Sequence, residues 1–270
     1  MSKIDVQNIT VDYKEKNSRF TALKDVSFSV NAGEFVSLIG SSGCGKSTLL
    51  SILEGLREPS EGTILIDGEP IKGTGNDRGV VFQHYSLFPW MTARKNVAFG
   101  VKQVKPELSG KERLELADEF LDKVGLENFK NKYPSQLSGG MQQRVAIARA
   151  LAMDTDILLM DEPFGAIDAK NRTILQELLL ELWEGDGTQE KKTVVFVTHD
   201  IDEAILLSDR IIMMAQSPGR VYKEINVPFE RPRNRSSLVQ TKEYTAFRNE
   251  LLTLFYGDIA DRIGGSEVVL

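Results

Sequence analysis

The stretch Gly40-Ser41-Ser42-Gly43-Cys44-Gly45-Lys46-Ser47-Thr48 decides how this chain is read. Its spacing is G-x-x-x-x-G-K-[ST], a loop that cradles phosphate groups. Phe35-Val36-Ser37-Leu38-Ile39 stands before it, a short apolar run suited to a buried strand. Ser47 to Glu54 stands after it, with apolar residues at helical spacing. Strand, glycine turn and helix in this order predict an α/β core. At ordinary glycine usage of ~7% the pattern alone turns up by chance in roughly one chain in a hundred of this length. The flanking strand and helix make a plain glycine turn the weaker reading.

The chemistry explains the residue types. Glycines let the backbone curl around phosphates without a side chain in the way. The turned N–H groups form a nest for anions, and the helix start adds unpaired donors and a positive dipole end. Lys46 can reach the β- and γ-phosphates of a nucleotide, and the Ser47 hydroxyl can ligate Mg²⁺. Every position from Gly40 through Ser41, Ser42, Gly43, Cys44, Gly45, Lys46 and Ser47 to Thr48 is therefore a candidate nucleotide contact. Cys44 in such a loop reads as a small residue that fits rather than as a redox switch.

Bulk properties narrow the classes. A chain of 270 residues suits one large α/β domain or two small ones. A net charge of −6 argues against a general nucleic-acid binder. One cysteine leaves no intrachain disulfide and points to a reducing compartment. No basic-then-apolar leader is visible, and no apolar run approaches the ~20 residues that span a bilayer. The chain is expected to be soluble by itself, which leaves docking on a membrane protein open.

Upstream of the loop, Ile4–Val11 and Leu23–Val30 alternate as half-buried strands, with a hairpin loop at Lys14-Glu15-Lys16-Asn17-Ser18. Tyr13 closes the first strand, as a rim residue or as a face on which a purine stacks. With strand Thr63–Ile66 these predict an antiparallel β layer. Gly79-Val80-Val81-Phe82 is a further strand ending at Gln83. His84 to Met91 is aromatic and broken by Pro89, and Ala93 to Met153 reads as almost wholly helical. Within it Ser109 and Glu112 form a capping-box start. This is an inserted helical subdomain, about residues 84–155.

Leu137-Ser138-Gly139-Gly140-Met141-Gln142-Gln143-Arg144 closes that insertion. Ser138 is a good N-cap. The octet is either a cap with a flexible turn or a second anion site at a helix start. Ile157-Leu158-Leu159-Met160 is a central parallel strand ending in Asp161-Glu162, where ligands bind in open α/β sheets. Asp161 suits a Mg²⁺ site, and Glu162 suits polarising a water. Strand Thr193–Val197 puts His199 on the same edge, before Asp200 and Glu203, which resemble a capping pair. Helix Asp168–Trp183, a hairpin around Ser217–Arg220 and a last helix at Glu243–Tyr256 complete the chain. Arg231-Pro232-Arg233-Asn234-Arg235 reads as a solvated basic run.

Taken in order from Tyr13 to about Val227, these segments resemble the ATPase domain of ATP-binding cassette (ABC) proteins. The resemblance implies a P-loop NTPase core, mostly parallel sheet flanked by helices, with the antiparallel β and helical subdomains. It gives residues 1–230 as the ATPase domain and 231–270 as a C-terminal tail. It implies that Tyr13 stacks on adenine and that Gly40–Thr48 is the Walker A loop. Gln83 becomes the Q-loop glutamine, which touches Mg²⁺ and senses a membrane partner. Leu137–Met141 becomes the signature, Asp161 the Walker B aspartate and Glu162 the catalytic glutamate. Phe164–Asp168 becomes the D-loop, and His199 the switch histidine on the γ-phosphate. Met141 departs from the usual glutamine, so any polar contact of that side chain is lost. The helix-end contribution of Ser138, Gly139 and Gly140 is expected to survive, being mostly backbone.

The family further implies ATP and Mg²⁺ as cofactors and a homodimer with each ATP between one Walker A loop and the other signature. It implies a separate integral membrane permease on whose cytoplasmic face the chain sits peripherally, and indirectly an extracytoplasmic solute-binding protein. Met141, the Phe-Pro-Trp-Met stretch and the Pro-Arg tail look most like the nitrate, sulfonate and taurine importer group. The alternative is an ABC-type ATPase acting outside transport, in DNA repair or translation. Those usually carry long coiled-coil insertions or two cassettes, and neither is seen. In a P-loop kinase or small GTPase the signature octet, Gln83 and His199 have no job.

Overall fold

The computed structural model describes residues 2–15, 18–184 and 191–263. Strands β1 (Ser2–Glu15) and β2 (Ser18–Asn31) pair antiparallel. They outrun the expected spans because pairing continues through Tyr13 opposite Phe20. Lys16 and Asn17 of the expected loop lie outside the described residues. Then come β3 (Phe35–Gly40), α1 (Lys46–Leu53), β4 (Glu61–Ile66), β5 (Glu69–Pro70) and β6 (Arg78–Val81). Helices α2 (Ala93–Val104), α3 (Gly110–Lys123) and α4 (Gly139–Met153) follow. The second half runs β7 (Ile157–Asp161), α5 (Ala169–Glu184), β8 (Thr193–Val197), α6 (Ile201–Leu207), β9 (Arg210–Ala215), β10 (Arg220–Asn226), α7 (Arg235–Leu238) and α8 (Lys242–Ile263).

The strands form two sheets. One is antiparallel, in the order β2-β1-β4-β5. The other runs β10-β9-β3-β8-β7-β6 and is parallel except for β10. The fold is thus the expected α/β class with an antiparallel layer beside a parallel core. The continuous apolar runs of β3, β7 and β8 are explained by burial on both faces. Phe35, Leu158, Met160, Val194 and Phe196 face the helices, in one cluster with Val97, Ala117, Leu121 and Ala148. Val36, Leu38, Ile157, Leu159, Val195 and Val197 face the antiparallel sheet, in a cluster with Ile4, Ile9, Leu23 and Leu50. Each such side chain contributes about 1.5–3 kcal/mol on full burial.

The α3 start is a complete capping box: Glu112 N–H donates to Ser109 Oγ at 3.2 Å, and Ser109 N–H to Glu112 Oε2 at 2.7 Å. Trp90 is 69% exposed, so it does not fill the helical core. Phe88 packs between Trp90 and Phe99, with ring centroids at 5.5 and 4.7 Å. The loop carrying both is tied down by Asn96, fully buried, whose amide donates to the carbonyls of Phe88, Met91 and Thr92 and accepts from Phe88 N–H.

The basic run at 231–235 is not simply solvated. Arg233 Nη1 donates to Ile205 O at 3.0 Å and Ser208 O at 2.6 Å, and Arg231 Nη2 to Leu207 O at 2.6 Å. Helix α6 ends with orphan carbonyls, and these guanidiniums occupy them. Arg231 also pairs with Asp209 at 2.7 Å and stacks on Trp183 at 4.3 Å. Charge on the run therefore reads as helix capping, a pairing set by contacts about 25 residues apart in sequence. At the other end of α6, Asp202 accepts from Tyr244 Oη at 2.7 Å and Arg248 Nε at 2.8 Å.

Candidate active site

Four neighbouring parallel strands, β6, β7, β8 and β3, bring their carboxyl ends to one edge. That edge carries Gln83, Asp161 with Glu162, His199 and the phosphate loop, as topology requires of ligand sites in open sheets. A cleft of about 420 Å³ opens there, lined by Tyr13, Phe20, Ser42, Gly43, Gly45, Lys46, Ser47, Thr48, Gln83 and Glu162.

The loop is built for close approach of a ligand. Gly43 (φ 82°) has open space where a Cβ would stand. At Gly45 (φ 94°) a Cβ would meet Leu23 Cδ2 at 2.3 Å, so only glycine fits. Gly45 is the N-cap of α1 and no side chain caps that start, which leaves its N–H groups for an anion. Lys46 is 7% exposed, and its Nζ donates to Gly40 O at 2.7 Å and Ser41 O at 3.2 Å. Cys44 is fully buried, and burial pushes its thiol pKa up, which fits a space-filling role. Gln216 at the end of β9 donates to Ser41 Oγ and Ser42 O, bracing the loop from outside.

Glu162 sits at the strand exit with φ 44°, a left-handed backbone that is uncommon off glycine. Its Oε2 lies 3.2 Å from His199 Nδ1 and accepts from Gln83 Nε2 at 3.4 Å. Burial pushes the Asp161 carboxyl pKa up; the Ser47 hydroxyl pulls it down, Glu162 pushes it up, and Lys46 pulls it down. Asp161 Oδ1 is buried without a hydrogen-bond partner. A buried, unpartnered carboxylate oxygen beside a serine hydroxyl is a fitting donor set for a hard cation. Among the described residues no group of three His, Cys, Asp or Glu side chains could hold a metal alone.

Other expected residues stand elsewhere. Ser138 caps α4, accepting Met141 N–H at 3.3 Å, and it does not line the cleft. A Cβ at Gly139 would meet Tyr85 Oη at 2.7 Å and one at Gly140 would meet Ala166 O at 3.1 Å, so the turn packs against the Tyr85 and Ala166 loops. Met141 packs on the helical core. Asp200 caps α6, accepting from Asp202 and Glu203 N–H. Glu203 does not return the bond: it is buried on Thr198 and Gln176.

Sequence reading missed several contributors. Phe20, 57% exposed, stands opposite Tyr13 and gives the cleft a second aromatic wall. Counting register back from the hairpin turn would have found it. Arg57 lies over the Tyr13 ring at 4.6 Å. Glu54, 7% exposed at the end of α1, has its pKa raised to about 7 by burial and then by Asp161. The unfolded chain loses that proton near pH 4.5 and the fold keeps it, so stability falls as pH rises from about 4.5 to 7. Discounted for residual solvent, the loss is about 2 kcal/mol. Glu54→Gln without nucleotide or magnesium should raise Tm by about 5 °C at pH 8. The gain should shrink steadily toward pH 5, and a gain independent of pH would refute the assignment.

A family model described as ABC transporter matches residues 23–165. The nitrate import ATP-binding protein NrtD of Synechococcus elongatus is 48% identical over 238 residues, covering 88% of this chain and 85% of its own. The taurine import ATP-binding protein TauB of Roseobacter denitrificans is 42% identical, covering 99% of each chain. Among solved structures, the ATP-binding cassette MJ0796, a post-hydrolysis dimer bound to ADP and Pi, superposes with a TM-score of 0.76 at 40% identity. That match covers 84% of this chain and 100% of the other. With the phosphate loop, the paired acids and the strand-edge histidine already gathered on one sheet edge, the chain belongs to the ABC transporter family as an ATP-binding, ATP-hydrolysing subunit.

Proposed function

We propose that this chain is the energising subunit of an importer, working as a homodimer with a separate membrane permease. One observation carries the dimer: the cleft holds the phosphate loop, Gln83 and Glu162, while Ser138, Gly139 and Gly140 of the same chain lie outside its lining. A second copy is the source of the missing helix end. The domain reading is the one stated above: 1–230 as the ATPase domain, with the helical subdomain at about 84–155, and 231–270 as the tail.

In this reading Tyr13 stacks on adenine, and the N–H groups of residues 40–48 take the phosphates. Lys46 leaves its carbonyls for the β- and γ-phosphates. Ser47, Asp161 and Gln83 would hold Mg²⁺, which supplies charge neutralisation on the phosphate oxygens. Glu162 orients the attacking water and accepts its proton, and His199 holds the γ-phosphate while its Nδ1 faces Glu162. The helix starts at Ser138 of the opposite copies close the seam, and hydrolysis opens it.

The site of action is the cytoplasmic face of the membrane, with an extracytoplasmic binding protein as indirect partner. The similarity to the nitrate import protein NrtD and the taurine import protein TauB supports small anions of the nitrate, sulfonate and taurine type as cargo. It also weighs against the alternative of an ABC ATPase in DNA repair or translation. No helix among the described residues is long and apolar enough to cross a membrane. The exposed Trp90 with Phe88, on the Asn96-tied loop beyond Gln83, is the contact for that permease. In the assembled transporter Trp90→Ala should cut uptake at least ~10-fold, as loss of an exposed aromatic anchor does. ATPase of the isolated chain should stay unchanged. Uptake at the parental rate would remove this contact from the reading.

A further inference from the structure

A second cavity lies away from the phosphate cleft. It encloses about 600 Å³ between α5, the end of α6 and residues 233–239. Its lining combines the apolar side chains Leu180, Leu206 and Val239 with Arg233 and Arg235. We propose that this cavity is a binding site for a small organic monoanion, a carboxylate or sulfonate head on a short apolar body.

The charge balance argues for an anion. Arg231 has Asp209 as its partner, but neither Arg233 nor Arg235 has a carboxylate within ion-pairing distance among the described residues. Arg233 spends Nε and Nη1 on the carbonyls of Phe229, Ile205 and Ser208. Arg235 spends Nη1 on Gln176 Oε1 at 2.6 Å. A guanidinium has five donors, and the Nη2 group of each keeps no acceptor among the described residues. Burial and the neighbouring Arg231 push the Arg233 pKa down to about 10, while the more distant Asp209 and Glu184 offset part of that shift. An oxyanion at the Nη2 groups takes charge-assisted hydrogen bonds from both guanidiniums. Glu177, an exposed acid in the lining, disfavours a second negative charge and selects a monoanion. The apolar lining selects a body of a few carbons over a bare inorganic ion.

The site is wired to the catalytic edge. Arg235 donates to Gln176, Gln176 Nε2 donates to Glu203 Oε1 at 3.0 Å, and Thr198 Oγ1 donates to Glu203 Oε2 at 2.7 Å. Asp200 N–H donates to the same Thr198 hydroxyl at 3.0 Å, and His199 stands between these two. An anion at Arg235 Nη2 engages the same guanidinium whose Nη1 holds Gln176, and so perturbs the chain of bonds to the loop carrying His199. Occupancy therefore shifts ATP turnover.

The test is calorimetry of sodium hexanoate with the full chain, without nucleotide, so it reads whether or not the chain serves an importer. Saturable one-to-one binding is expected with Kd on the order of 1 mM, as ligand efficiency allows for about eight heavy atoms. Hexanol should not bind. Arg235→Gln should weaken hexanoate at least ~10-fold, the loss of a charge-assisted hydrogen bond. Should that variant fold poorly, Val239→Glu, at a 39% exposed position, should weaken binding by repulsion, and Val239→Lys should tighten it. ADP with Mg²⁺ should leave the affinity unchanged. No saturation, equal affinity in Arg235→Gln and Val239→Glu, or competition by ADP would each overturn the site. Hexanoate that binds without altering ATP turnover by ~2-fold or more would overturn the coupling to His199.

Discussion

Glu162→Gln is expected to lower kcat for ATP hydrolysis by about 10²–10⁴, the span of general-base catalysis. ATP affinity should stay within about tenfold, because in the proposed role the carboxylate orients water and holds no phosphate. Glutamine keeps the length, so the contact with Gln83 and the backbone at φ 44° can persist. What it loses is the charge that faces His199 at 3.2 Å and that, in the proposed role, accepts a proton from water. Blocked after closure, the variant should accumulate as an ATP-bound dimer, measured by light scattering. Adding Ser138→Arg to the same chain should return it to monomer, since the incoming helix start can no longer approach the γ-phosphate. Turnover at the parental rate, or dimers indifferent to Ser138, would sink the shared-site reading.

Lys46→Ala should lower kcat/KM by about 10²–10⁴. Two charge-assisted hydrogen bonds to phosphate, each worth about 1.5–3 kcal/mol, add to that range. The nucleotide-free protein offers a control. There Nζ donates to Gly40 O at 2.7 Å and Ser41 O at 3.2 Å inside the loop, so alanine leaves two carbonyls without this donor and costs about 1–2 kcal/mol of stability. A small drop in Tm with a large loss of ATP binding, followed by titration of a fluorescent nucleotide, is the expected pair of results. Parental ATP binding in this variant would show that the loop does not hold the triphosphate.

The parts legible in sequence are those encoded locally. The phosphate loop, the runs at 157–161 and 193–197, the Ser109 cap and the Ser138 cap are each fixed by a few consecutive residues. Even the common edge of Lys46, Asp161 and His199 followed, because parallel strands must present their carboxyl ends together. What stayed hidden depends on partners far away in the chain. Phe20 joins the cleft through strand register. Gln216 reaches the loop across 175 residues, and Arg231 and Arg233 find α6 carbonyls only after the tail folds back. Glu203 reads as a capping residue until burial beside Thr198 and Gln176 turns it inward. Met141 reads as a loss at the signature. The structure gives the side chain to the helical core and the Ser138 bond to its backbone N–H, which any residue supplies.

The left-handed turn at Glu162 sets breeding for toughness against breeding for work. A non-glycine residue in that conformation forgoes roughly 1–2 kcal/mol. Glycine or asparagine would relax it, and neither could carry the water's proton. A mutant library sorted only for survival on heating should therefore enrich those two residues at position 162, and its hardiest members should be idle.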